Sequence, residues 1–343
     1  MKKQVLIIKT SSMGDIIHTL PALTDAIKHH PYLTFDWVVE QTFAEIPSWH
    51  NSVDRVIPIQ LRQWRKRPFH TLKSTEFKTF IHQLRQKKYD LIIDAQGLIK
   101  SAWLTTVAKG KRVGFDYKTA RESLASLFYQ TKYSTDWQQH AVPRMRQLFA
   151  DALKYTYDKS TVDYGLCLQR LPKSAYQNYI VFLHGTTWPT KHWPEFQWKI
   201  LAEKFADTPY NILLPWGNLQ ELEQAKRIAE KFSYIEILPK MNLHGLAGIL
   251  ANANLVYAVD TGLGHLAAAL NVPTISLFGA TDAKLTGAYG QRQVHLSANF
   301  SCAPCLQKKC THPDFKQGIP PCYYTLKPEL AFEQGQLLLE QKK

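Results

Sequence analysis

The chain has 343 residues, 45% of them hydrophobic, which is enough for one or two well-cored domains and favours two. Its formal net charge of +14 is concentrated in the first 165 residues, where 25 Lys and Arg face 15 Asp and Glu; such a field selects anionic partners, whether nucleic acid, an anionic membrane face or an acidic phosphorylated substrate. No run of 18 apolar residues occurs and the first apolar run, Val5 to Ile8, is too short for a signal peptide, so a membrane span is excluded and the expected compartment is the cytosol.

Val5-Leu6-Ile7-Ile8 predicts a buried strand. The polar loop Lys9-Thr10-Ser11-Ser12-Met13-Gly14-Asp15 follows, then a helix from about Ile16 to His29, the opening unit of a doubly wound α/β domain. Open sheets of this kind bind ligands at the carboxyl ends of their strands, where Ser11, Ser12, Gly14 and Asp15 fall. Asp15 suits either a ligand-facing carboxylate or a helix N-cap. Strands are expected at Phe35 to Val39, ending in Glu40, and from Val53 to Ile57. Between Arg62 and Lys73, Arg62, Arg65, Lys66 and Arg67 alternate with Trp64 and Phe69 without an apolar period, which reads as a loop. That loop is either a solvated face or a cradle in which Arg forks grip carboxylates and phosphates. Leu91-Ile92-Ile93 closes on the polar corner Asp94-Ala95-Gln96-Gly97, a helix runs to about Ala108, and Val113-Gly114-Phe115 is a short further strand. Arg121 and His140 fall in loops.

The pattern loosens from Thr161 to Pro172 and starts again, which marks a connection between two domains. Tyr179 to Leu183 is a fresh first strand, followed by a loop in which Thr186 and Thr187 can donate to a diphosphate and Lys191 can neutralise it, or simply carry surface charge. Asn211 to Leu214 is the next strand; Glu221 opens the following helix, where its carboxylate either accepts from a ribose or base or favours the helix N-terminus. After Ile235 to Leu238, Met241 offers a soft apolar face for a flat base. Leu255 to Leu270 then reads strand, turn, helix: an apolar run breaks at Asp260-Thr261-Gly262-Leu263-Gly264-His265 and resumes as an alanine-rich helix. Helix-start amides lack internal partners and the glycines keep the approach open, so a phosphate can sit there; Asp260 suits an N-cap or a ribose acceptor, Thr261 a phosphate donor. A strand from Thr274 to Phe278 and the loop Gly279 to Asp282 complete the array.

Lys9 to Asp15, Phe35 to Glu40, Asp94 to Leu98, Lys191-His192-Trp193-Pro194, Leu214-Pro215-Trp216-Gly217, and Asp260-Thr261-Gly262 with His265 together resemble glycosyltransferase family nine, the lipopolysaccharide heptosyltransferases, over about Met1 to Gly290. The resemblance implies an α/β fold of the GT-B type: two facing Rossmann-like, doubly wound domains, with an acceptor-binding domain at 1–170 and a nucleotide-sugar domain at 171–325. A closing helix at 326–343 is implied to return to the first domain. It implies ADP-L-glycero-D-manno-heptose as donor and Kdo2-lipid A as acceptor, at the cytoplasmic face of the inner membrane, with no nucleic acid as partner. Carried over position by position, Asp15 is the catalytic base, and Thr186, Thr187, Lys191, Glu221, Met241, Asp260, Thr261, Gly262 and His265 contact the donor. Ser11, Arg62, Arg65, Lys66, Arg67 and Arg121 are assigned to the acceptor. No acidic D-x-D pair is present to hold a divalent metal on the diphosphate, so no cofactor is expected for catalysis.

The tail carries Cys302-x2-Cys305-x4-Cys310-x11-Cys322, a cluster similar to that of some members of the family, including those that extend an existing heptose, which leaves the acceptor open. Four clustered cysteines in a cytosolic protein fit a structural zinc or iron site; two disulfides and four reduced thiols are the alternatives. A basic nucleic-acid-binding protein with a zinc ribbon is a more distant reading, against which the basic residues and the cysteines lie at opposite ends of the chain.

Overall fold

The computed structural model describes residues 3–316 and 318–341; Met1-Lys2 at the charged start and Lys342-Lys343 of the closing segment lie outside the described residues. The chain divides into two units, Met1–Cys167 and Leu168–Lys343, a division inside the Thr161 to Pro172 stretch. In the first unit, β1 (Lys3–Ile8), β2 (Leu33–Glu40), β3 (Val53–Ile59), β4 (Lys88–Asp94), β5 (Lys109–Phe115) and β6 (Thr131–Tyr133) form one sheet in the order β3-β2-β1-β4-β5-β6. Every neighbouring pair is parallel. Val5, Leu6, Ile7 and Ile8 are all buried, because helices cover both faces of a parallel sheet and leave no strand face for water. β1 and β4 are neighbours although β2 and β3 lie between them in sequence, and that reversal of strand order is where such sheets open a ligand crevice.

Two expectations change. The helix read as one piece from Ile16 to His29 is two, Met13–Ile17 and Leu20–His29. Pro21 cannot donate the hydrogen bond that a continuous helix needs, and the Thr19 hydroxyl instead donates to the Asp15 carbonyl at 2.9 Å. The basic stretch read as a loop holds two short helices, Leu61–Trp64 and Pro68–Lys73. Trp64 anchors the first through edge contacts with Phe77 and Phe80 at 5.2 and 5.5 Å, a single apolar residue and therefore no visible period. β6 is three residues long and carries no apolar run that would mark it in the sequence.

Arg146, on the helix Ala141–Leu153, ties the end of the unit together. Its buried guanidinium donates to Asp25 Oδ2 and Oδ1 at 2.6 and 3.1 Å, and to the carbonyls of Thr161 and Asp158 at 2.8 Å each.

The second unit repeats the plan. β7 (Tyr179–Leu183), β8 (Asn211–Leu214), β9 (Ile235–Ile237), β10 (Leu255–Val259), β11 (Thr274–Phe278) and β12 (Gln293–Ser297) run parallel in the order β12-β11-β10-β7-β8-β9, the same order as the first sheet read from its other end. Phe182, Trp193, Trp198, Phe205 and Tyr257 pack edge to face and tilted in its core, Phe182 lying 5.0 Å from Trp198 and 5.5 Å from Tyr257. Within the second unit the closing helix, Pro328–Glu340, packs on the helix Glu195–Glu203 and on β10 and β11. Phe332 meets Phe205 at 5.0 Å, and Gly335 lies where any Cβ would strike the Tyr257 hydroxyl, so this face is shaped to the second unit's own core.

Replacing Arg146 by Met leaves Asp25 buried without its partner and two carbonyls without donors, a loss on the order of 3–5 kcal/mol. Urea unfolding of the full chain should show the transition of the first unit moved to lower denaturant, with that of the second unchanged.

Candidate active site

The carboxyl ends of β1 and β4 are joined by side chains of the two corners that follow them. Asp94, fully buried, accepts from the amides of Gln96 (2.8 Å) and Gly97 (3.2 Å) and from the hydroxyls of Ser101 (2.8 Å) and Tyr129 (2.6 Å). Burial raises its pKa in spite of those four donors. The corner it fixes requires Gly97, whose φ of 68° is a left-handed conformation that side chains resist. Gln96 then reaches across: its Oε1 accepts the amides of Thr10 and Ser11 at 3.1 and 3.2 Å. Lys9 Nζ donates back to the Ala95 carbonyl at 2.8 Å. The loop after β1 is thereby held open over a small polar cavity lined by Lys9, Asp15, Gln96, Thr119, Arg121 and Arg144.

Asp15 sits in the first turn of its helix, three residues past the N-cap Ser12, rather than at the N-cap position itself. Its Oδ2 accepts from the Ser12 amide and hydroxyl at 2.8 and 2.9 Å, and its Oδ1 lies 3.9 Å from Lys9 Nζ. Burial works to raise the Asp15 pKa, but Lys9, the Ser12 hydrogen bonds and Arg121 together hold it below the ordinary carboxylate value. Burial, with Arg144 and Arg121 nearby, lowers the pKa of Lys9 against the pull of Asp15. Sequence reasoning missed Lys9 and Arg144 as site residues. Arg144 packs on the Trp137 ring at 3.9 Å and reaches the cavity from a helix whose own pattern says only that it is amphipathic.

Among the residues assigned to the acceptor, Arg121 lines this cavity and Ser11 forms its rim through the Gln96 bond. Arg62, Arg65, Lys66 and Arg67 are exposed on the segment that leaves β3 at the same edge of the sheet. The Arg62 amide donates to Glu40 Oε1 at 3.2 Å, so the basic segment is tied to the end of β2.

In the second unit the loops after β7, β10 and β11 converge on Asp260. Its Oδ2 pairs with Lys191 Nζ at 2.6 Å and accepts the Thr281 hydroxyl at 2.6 Å; its Oδ1 lies 3.8 Å from His265 Nε2; its carbonyl accepts the Thr186 hydroxyl at 3.0 Å. The N-cap role considered for Asp260 belongs to Thr261, which opens the helix Gly262–Ala269 and whose hydroxyl makes no capping hydrogen bond. Thr187 is exposed and Gly262 partly so, both at this edge. Glu221 accepts the Gly217 amide at 2.7 Å and lies against Gly185, where a Cβ would come within 2.6 Å of its carboxyl carbon. Met241 is half-buried beside Gly245 at the mouth of the next helix, which Asn242 caps. All nine residues assigned to the donor thus lie in the loops and first helical turns that follow the strands of this one sheet.

The four tail cysteines are free thiols, which removes the disulfide alternative. Burial, together with Cys302, Cys305 and Cys310 nearby, pushes the Cys322 thiol up to about 11. Among the described residues no group of three His, Cys, Asp or Glu side chains is already gathered as a metal site. Cys302 is exposed in a turn while Cys322 is buried against the second core.

The sequence profile of glycosyltransferase family 9 (heptosyltransferase) matches residues 77–316. The chain belongs to this family. It is 51% identical to the lipopolysaccharide heptosyltransferase 1 of Pseudomonas aeruginosa, over 98% of either chain. Among solved structures, the E. coli heptosyltransferase WaaC with ADP superposes with a TM-score of 0.86 at 46% identity, covering 98% of this chain and 99% of that one. The same protein with ADP-2-deoxy-2-fluoro heptose gives 0.84 at 45% identity, covering 99% and 100%. The two parallel-sheet units are accordingly those of a GT-B glycosyltransferase, and the family 9 member described here carries its ionised carboxylate and its lysine-aspartate pair at the strand ends of separate sheets.

For a carboxylate held below its ordinary pKa, the stabilising charge is fully present above the ordinary value of 3.8 and is lost as pH falls through the depressed one. Carbon-detected NMR titration should therefore place the Asp15 midpoint below 3.8. Lys9→Met, which removes the strongest influence holding it down, should move that midpoint upward.

Proposed function

We propose that this family 9 glycosyltransferase transfers L-glycero-D-manno-heptose from ADP-heptose to a Kdo hydroxyl of Kdo2-lipid A, with inversion, in lipopolysaccharide core synthesis. The observation that carries the reading is Asp15: an ionised carboxylate after the end of β1, one oxygen engaged by Ser12, in a cavity that Lys9, Arg121 and Arg144 also line. The acceptor hydroxyl gives its proton to Asp15 as its oxygen attacks the anomeric carbon; the bond from that carbon to the diphosphate breaks, and ADP leaves with the electron pair. Lys191 and the helix start at Thr261 face the charge that builds on the departing diphosphate. Thr186 and Thr187 add hydroxyl donors, Glu221 a ribose acceptor and Met241 an apolar face for the adenine.

The Kdo acceptor, rather than an existing heptose, is supported by the relatives at about half identity over nearly the whole length, named heptosyltransferase 1. An acidic acceptor also suits Lys9, Arg121 and Arg144 around Asp15. Arg62, Arg65, Lys66 and Arg67 extend the same charge outward and would take the more distal carboxylates and phosphates. Among the described residues no helix is long and apolar enough to cross a membrane. Phe69 and Leu72, 85% and 61% exposed amid those cations, support peripheral attachment to the cytoplasmic face of the inner membrane.

Asp15→Asn should lower kcat by about 10²–10⁴-fold while leaving ADP affinity within twofold of the parent, measured by product mass and calorimetry. Near-parental turnover would remove the base assignment. The triple replacement of Arg62, Arg65 and Arg67 by Ala should raise the acceptor KM by about tenfold or more at an unchanged donor KM, and reduce pelleting with anionic but not neutral vesicles. An unchanged acceptor KM would detach the segment from acceptor binding.

A further inference from the structure

Lys191 is paired with Asp260, so the two together bring no net charge to a diphosphate that carries more than one. A second cation lies beside them on a part of the chain that neither the sequence patterns nor the relatives' names connect to the donor. Lys308 Nζ sits over the Trp188 ring at 5.3 Å, and Lys191 Nζ over the same ring at 4.5 Å. Among the described residues Lys308 is exposed and makes no carboxylate pair. Its loop is clipped to both loops that build the site. The Thr190 hydroxyl donates to the Gln307 carbonyl at 2.6 Å, next to Lys191 in sequence. The Leu306 amide donates to the Ala280 carbonyl at 2.7 Å, next to Thr281, whose hydroxyl holds Asp260. Leu306 itself takes φ 56°, a conformation a branched side chain adopts only where its surroundings impose it.

We propose that the loop bearing Cys302, Cys305 and Cys310 is a third wall of the donor site, and that Lys308 supplies the second cation for the donor's diphosphate. This rests on the nucleotide-diphosphate-sugar reading given above. The exposed ammonium on a flexible stem turns from the indole toward the ligand when a diphosphate arrives, while Thr190, Gln307, Leu306 and Ala280 keep the loop in register with Lys191 and Asp260. Cys322, buried in the core behind, holds the far end of the same segment.

Calorimetric titration of the full chain with ADP and with adenosine tests this. Lys308→Met, which keeps the stem and removes the charge, should raise the ADP Kd by about tenfold; Lys308→Arg should recover most of the affinity, Lys309→Met should leave it unchanged, and adenosine should bind all variants alike. The salt dependence of ADP binding should be shallower in Lys308→Met. If the parent binds ADP and Lys308→Met binds it equally well, the loop inference is overturned while the donor reading stands. A parent that binds no ADP overturns both, and an equal loss of adenosine binding in Lys308→Met would show a collapsed site and overturn the charge role.

Discussion

The amide oxygen of Gln96 takes two backbone N–H groups from a neighbouring strand's loop, and the first unit's chemistry depends on that bridge. Thr10 and Ser11 belong to a polar stretch with no ladder of its own at the end of β1, and buried amides without partners cost about 1–3 kcal/mol each. Gln96 satisfies both, and Asp94 fixes Gln96 by closing the corner that carries it. The result is a rigid rim at the point where strand order reverses. Asp15 and Lys9 can then face each other at 3.9 Å instead of collapsing into a direct contact.

The second unit reaches a similar end by different means. There the convergence is electrostatic: three loops bring Lys191, Thr281, His265 and Thr186 to one aspartate. Asp260 is buried and satisfied before any ligand arrives, so the site is preformed and its cation is held in place. A phosphate approaching Lys191 competes with a carboxylate already there. The aromatic core beneath, Trp193 and Trp198 with Phe182, gives these loops a stiff floor; Gln197 Nε2 and Trp193 Nε1 bond the carbonyls of Tyr323 and Leu326 and so lock the tail to the same floor.

Much of this was legible in the chain. Runs such as Tyr179 to Leu183 and Leu255 to Val259 are long, apolar and bounded by polar corners, and a parallel sheet with both faces covered leaves that signature. The loops that meet at Asp260 were visible as polar corners bearing glycine and threonine at strand ends. Lys9 and Arg144 were not readable as site residues, since a cation's role depends on what it faces, and Lys9, Gln96, Arg121 and Arg144 follow β1, β4, β5 and β6 and meet only when the sheet is assembled. The break before Pro21 was visible as a proline but was overridden by the apolar pattern on either side. The contacts of Gly335 with Tyr257 and of Phe332 with Phe205 depend on shape, which a hydrophobic pattern does not encode.

The cations beside Asp15 also make it a weak proton acceptor. Any group that draws Lys9 or Arg121 away from the carboxylate lets its pKa rise toward the ordinary value, so the basicity of this position is tuned by the charge of whatever enters the cavity.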